Sequence, residues 1–95
     1  MVDRVSKRKG TRNEHRSIAI LEAAGYRCTR SAASLGDWDI VAIGTADVVL
    51  CQVKTRDWPG TMEMRCLEDF VVPANVRKLV HRWRDYQRLP DVKEL

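Results

Sequence analysis

Cysteine is scarce in this 95-residue chain, and the three present, Cys28, Cys51 and Cys66, lie far apart. None belongs to a C-x-x-C pair or a Cys/His cluster with zinc spacing, which argues against a zinc module. An odd count without a disulfide framework fits a reducing compartment, so a cytoplasmic protein is expected. Cys28 and Cys51 sit in apolar runs and read as small core residues. No apolar run approaches the length of a membrane span, so no membrane partner is expected. The basic residues 1–10 enclose no apolar segment and do not read as a secretory signal. There is no internal repeat, no low-complexity tract and no stretch dominated by acidic residues.

What is present is an ordinary globular composition, 44% hydrophobic and 32% charged. Lys and Arg number 17 against 13 acidic residues, a net charge of +4 that favours a polyanionic partner. The surplus gathers at Arg4, Lys7, Arg8, Lys9, Arg12 and Arg16, and again at Arg77, Lys78, Arg82, Arg84 and Arg88. The length suits one compact domain, and so small a domain gains from oligomerisation because it buries a smaller share of its surface. Residues 1–10 are expected to form a flexible basic tail and residues 11–95 a single domain.

Apolar spacing at Ile18, Ile20, Leu21 and Ala24 predicts a helix over residues 12–24. Thr11 and Glu14 have the spacing of a capping box at its start, and Gly25 suits its end. Strands are expected near residues 26–32 and 38–43. A tight connection at Gly44-Thr45-Ala46-Asp47 then leads into a third strand over 48–55. The continuous run Val48-Val49-Leu50-Cys51 suggests that this strand is buried on both faces. Trp58-Pro59-Gly60 reads as a turn, and residues 62–70 as a loop, an edge strand or a short helix. Pro73 suits a helix start, and Val76, Leu79, Val80, Trp83 and Tyr86 predict a second helix ending before Pro90. The expected order is α-β-β-β-(variable)-α, an α/β or α+β arrangement of helices on a small sheet.

Asp39 is the odd residue of the second strand, because Asp is disfavoured in strands and here it heads an apolar one. Gln52 and Lys54 stand two apart on the third strand and therefore share a face. If the two strands pair as a hairpin, Asp39, Gln52 and Lys54 converge at one end of the sheet. That grouping suits phosphodiester hydrolysis. A hard divalent cation takes carboxylate, amide and backbone carbonyl oxygens, and a neighbouring lysine can orient water or stabilise developing charge. Glu14 adds a second carboxylate if its helix packs with its first turn towards the site. Each residue also has a plainer explanation: Glu14 as a cap, Asp39 as a turn or edge residue, Lys54 as a strand end in solvent. Trp58 beside Arg56 reads either as a base-stacking contact or as a buried indole.

The succession Arg8-Lys9-Gly10, Glu14, Arg30-Ser31-Ala32-Ala33-Ser34, Asp39-Ile40-Val41-Ala42 and Gln52-Val53-Lys54 resembles the archaeal-type Holliday junction resolvases of the PD-(D/E)XK nuclease superfamily. The resemblance spans residues 8–55. It implies an α/β restriction-endonuclease-like core, a small mixed β-sheet flanked by helices in the order α-β-β-β-α. It also implies a Mg²⁺-dependent homodimer, with Mn²⁺ as a substitute, that nicks four-way DNA junctions. Glu14, Asp39 and Gln52 would be metal-site residues and Lys54 the catalytic lysine. Ser34, or alternatively Ser31, would lie near the scissile phosphate. Arg8, Lys9, Arg12, Arg30, Ser31 and Arg56 would contact DNA. Two departures stand out. Gln52 occupies the usual acidic position, removing a negative charge that Glu14, Asp37 or a phosphate would have to replace. The family also continues with further strands after the second helix, for which the expected layout leaves no room. The alternative functions are another nuclease of the superfamily, of repair or restriction type, and a catalytically weakened junction-binding module.

Overall fold

The apolar run at residues 48–55 lies at the centre of the sheet. In the computed structural model, which describes residues 4–31 and 38–95 with side chains from residue 11 onward, seven elements follow one another. They are α1 (Arg4–Ala23), β1 (Arg27–Arg30), β2 (Ile40–Ile43), β3 (Val48–Thr55), α2 (Thr61–Asp69), β4 (Val76–Trp83) and β5 (Asp91–Glu94). The strands form one five-stranded sheet in sequence order. β3 and β4 run parallel, and the other neighbours pair antiparallel. The chain is thus an α/β protein with a small mixed sheet and two helices, in the order α-β-β-β-α followed by two strands.

β3 is covered on both sides, as its unbroken apolar run requires. Val49 and Cys51 join Leu21, Ile40, Ala42 and Leu79 in one cluster on the α1 side, with Val53 packed against it. Leu50 joins Trp38, Leu67 and Val80 in a second cluster on the α2 side. Alternation along the strand therefore turns Gln52 and Lys54 towards α2. The hairpin between β2 and β3 closes through Gly44, whose N–H donates to the carbonyl of Asp47 at 2.8 Å. A Cβ at Gly44 would lie 2.8 Å from the Tyr26 ring, so only glycine fits there.

The end of α1 is as expected and its beginning is not. Gly25 has φ +99°, and the N–H groups of Gly25 and Tyr26 donate to the carbonyls of Glu22 and Leu21 in a Schellman closure. At the other end the helix takes in residues 4–10, which composition assigned to a tail, and passes through Gly10 and Thr11. Thr11 therefore does not cap it. An interior glycine costs about 1 kcal/mol, and the Lys and Arg residues around Gly10 are good helix formers that offset this. The face that α1 lays on the sheet is also more polar than Ile18, Ile20, Leu21 and Ala24 suggest. It consists of Asn13, Ser17 and Leu21, with Ile18 half-buried beside them, while Ala24 is exposed.

Residues 73–89 do not form a helix as expected; residues 76–83 are the strand β4, and the second helix lies earlier, at Thr61–Asp69. Apolar residues at 76, 79, 80 and 83 meet the helical template, but a strand buried on both faces meets it equally well. The polar residues between them misled. Lys78 and His81 look like a solvated helix face, yet both are buried with partners. The further strands that the resemblance leads one to seek after the second helix are β4 and β5.

Candidate active site

Asp39 enters the sheet one residue before β2. Its N–H donates to the carbonyl of Cys51 at 3.0 Å, and its carbonyl accepts the N–H of Ser31 at 2.8 Å. The strand pairing thus reaches Asp39 from both neighbours and fixes its backbone. Its carboxylate Oδ2 then accepts the N–H of Val53 at 2.8 Å, so the side chain docks on the backbone of the Gln52-Val53-Lys54 tripeptide. The expected convergence of Asp39, Gln52 and Lys54 at the open end of the hairpin is what the fold produces.

Gln52 is buried and Lys54 half-buried. Both meet a residue that patterning along the sequence did not single out, Glu63 in the first turn of α2. Gln52 Nε2 donates to Glu63 Oε1 at 2.8 Å, and Lys54 Nζ lies 3.5 Å from Glu63 Oε2. Only the helical assignment of residues 61–69 would have pointed to Glu63, since that helix lies against the strand face bearing Gln52.

Glu14 is held by Arg30, whose Nε and Nη2 lie 3.0 and 2.8 Å from Glu14 Oε1. The carboxyl of Asp39 is raised above its usual range, chiefly by burial. The negative charges of Glu14 and Glu63 add to that rise, while the Val53 N–H and the Lys54 ammonium oppose it. Glu14, Asp39, Lys54 and Glu63 therefore share one electrostatic neighbourhood. Each carboxylate already has a partner of its own. Among the described residues, no trio of His, Cys, Asp or Glu is gathered as a metal site of those types alone would require. The donors at hand are oxygens, the carboxylates of Glu14 and Asp39 and the amide oxygen of Gln52. Such a set suits a hard divalent cation rather than a soft one.

Arg30 is tied to Glu14. Ser31 Oγ is buried and has no hydrogen-bond partner among the described residues. Ser34 and Asp37, and the side chains of Arg8 and Lys9, lie outside the described residues. Arg12 is exposed and shares a groove with Arg16, Arg84 and Tyr86. Arg56, at φ +73°, is exposed and stands 3.8 Å from Asp85. Asn13, which also lines this groove, donates through Nδ2 to Thr55 Oγ1 at 2.9 Å on the α1 side of β3, the face opposite Lys54. Trp58 packs against the α2-side cluster, with the Arg82 guanidinium 4.6 Å from its ring centroid, so it is a half-buried indole with a covered face.

No protein-family model matches the sequence, and no curated protein does. Among solved structures, the chain is similar to Hjc of Archaeoglobus fulgidus, a Holliday junction resolvase from an archaeal hyperthermophile. The TM-score is 0.66 at 25% identity, covering 83% of this chain and 67% of that one. With its mixed sheet and its two helices, the chain shares the nuclease fold of the archaeal-type Holliday junction resolvases, as the resemblance implies.

Proposed function

We propose that the protein is a structure-selective DNA endonuclease, a Holliday junction resolvase that nicks four-way junctions symmetrically by Mg²⁺-dependent phosphodiester hydrolysis. The observation that carries this reading is the docking of the Asp39 carboxylate on Val53, between Gln52 and Lys54, in a chain with a resolvase fold. Glu14, Asp39 and Gln52 are the oxygen donors that would hold Mg²⁺, or Mn²⁺ in its place. A divalent cation held there supplies Lewis-acid polarisation of the scissile phosphate.

The chain's own residues do the rest. Lys54 brings an ammonium to the edge of the site, where it stabilises the charge that builds on the phosphate oxygens in the transition state. Val53, through its N–H, holds Asp39 in one orientation. Arg12, Arg56 and the side chains of Arg8 and Lys9 bind the phosphate backbone, and Ser34 or Ser31 approaches the phosphate to be cut. Arg30 orients Glu14. Symmetric nicking needs two such sites, so a homodimer is the working unit.

The experiment is a nicking assay on an immobile four-way junction with Mg²⁺. Lys54→Ala and Asp39→Ala are each expected to lose about 100-fold or more in rate, the scale of one removed electrostatic stabiliser. Full activity in either variant would overturn the assigned roles. Equal cutting of linear duplex would leave a nuclease of the superfamily but not a resolvase. Gln52 favours a second reading, a junction-binding module with little cleavage, because a neutral ligand weakens cation binding. Junction binding without measurable Mn²⁺ binding in a calorimetric titration would select that reading.

A further inference from the structure

A carboxylate that the resemblance does not assign sits against both polar residues of the tripeptide. We infer that Glu63 and Gln52 act as one unit, in which Glu63 is a positioning residue that turns the amide oxygen of Gln52 towards the cation and supplies from α2 the negative charge that position 52 lacks. This rests on the nuclease reading above and deepens it.

An ionised carboxylate only accepts hydrogen bonds, so the amide group that meets Glu63 at 2.8 Å is the NH₂ of Gln52. The usual ambiguity between amide oxygen and nitrogen is thereby removed, and the carbonyl oxygen faces away from Glu63. Gln52 is only 5% exposed, so water cannot readily take over this role. The second oxygen of Glu63 is 3.5 Å from Lys54 Nζ, so one carboxylate holds the residues on both sides of Val53.

Glu63 is also free to serve this purpose. It is the third residue of α2, the position of the reciprocal partner in a capping box, but the N-cap is Gly60, which has no side chain to complete one. The positive end of the helix favours a carboxylate there. The charge of Glu63 reaches Asp39, as a member of the same site must. Partners that orient a metal ligand without touching the metal commonly set metal affinity by 10–100-fold.

Gln52→Glu is the substitution that restores the usual motif. In this chain it places two carboxylates face to face. Without metal, Gln52→Glu is expected to lower the melting temperature by about 5 °C, a shift typical of a 1 kcal/mol loss in a domain of this size. Adding Glu63→Gln exchanges the pair, restores its hydrogen bond and returns the melting temperature to within about 1 °C of the starting protein. Additive effects in this cycle would overturn the pairing. In a Mn²⁺ titration, Glu63→Ala is expected to weaken binding about tenfold or more, and Glu63→Gln less, because its amide oxygen still accepts from Gln52. Unchanged Mn²⁺ affinity in Glu63→Ala would reduce the pair to a fastening of α2 and overturn the positioning role. If the unsubstituted protein neither bound Mn²⁺ nor cut junctions, the nuclease reading would fall and the metal half of this proposal with it. The melting cycle would still decide the pairing.

Discussion

Of the two histidines, His81 is the one the fold encloses, at 2% exposure. Its Nδ1 lies 2.9 Å from Ser17 Oγ, and Trp83 Nε1 donates to the same oxygen at 2.8 Å. An indole N–H only donates, so Ser17 accepts from Trp83 and can give its own proton to a neutral imidazole. Burial pushes His81 down to about 4 from 6.5. Because the folded value is depressed, the unfolded chain binds the extra proton first as the solution is acidified. The stability contributed by neutral His81 is complete above pH 6.5 and is lost as the pH falls towards 4, by about 3 kcal/mol in all. Asp39 acts in the opposite sense, since its raised carboxyl makes the charged form costly and protonation relieves that cost. Urea unfolding across this range should show the decline, and His81→Gln should flatten it. An unchanged slope in that variant would show that another group sets the acid limit. Nothing near position 81 in the sequence announces this, because Ser17 is 64 residues away.

At the scale of elements, α2 and β4 depend on each other through a buried lysine. Lys78 Nζ donates to the carbonyls of Leu67, Glu68 and Phe70 at 2.9, 2.6 and 2.9 Å. They belong to the C-terminal end of α2, where a helix leaves carbonyls in need of donors and its dipole favours a cation; the Leu67 carbonyl accepts the Phe70 N–H as well. Lys78→Met keeps the stem and removes the three bonds. It should destabilise the protein by about 3 kcal/mol, the scale for hydrogen bonds to a charged group lost in a buried site. Equilibrium unfolding compared with Lys93→Met, on the exposed strand β5, measures it. Equal stability of the two variants would remove the capping role. The same lysine explains why β4 reads as a helix in the sequence. Apolar spacing cannot separate a helical stripe from a strand covered on both faces when the polar residues between are satisfied by distant carbonyls. The boundaries of β3 and the stop at Gly25 were legible because apolar continuity and the positive φ of glycine are local properties.

At the scale of the whole molecule, the excess positive charge is not spread evenly. α1 and the turn after β4 bring Arg12, Arg16 and Arg84 to one groove with the fully exposed Tyr86. Arg16 is committed there to the Trp83 ring, 3.9 Å from its centroid, and to the carbonyl of Gln87. Arg84 Nε lies 3.4 Å from Asp91 Oδ2, which leaves Arg12 as the more available of the three for phosphate. Junction affinity should fall linearly with the logarithm of salt concentration. Arg12→Ala should reduce that slope by about 1, the release of roughly one counterion per lost phosphate contact. Electrophoretic titrations over a range of NaCl concentrations measure it. An unchanged slope would place the DNA on another face.

The sequence by itself determined the convergence of Asp39 with Gln52 and Lys54, because a period of two and a short hairpin leave few alternatives. It also carried the resemblance that the fold then matched. Only the tertiary structure decided who their partners are. The Val53 N–H fixes Asp39, Arg30 holds Glu14, and Glu63 meets the other two. The physical reason is distance along the chain. Hydrogen bonds and ion pairs between residues 9 to 16 apart leave no periodic trace in a sequence. They come into being only when the hairpin closes, α1 lies on one face and α2 on the other. The negative charge missing at position 52 was therefore visible as a gap in the sequence, while the carboxylate that stands beside it was visible only in the fold.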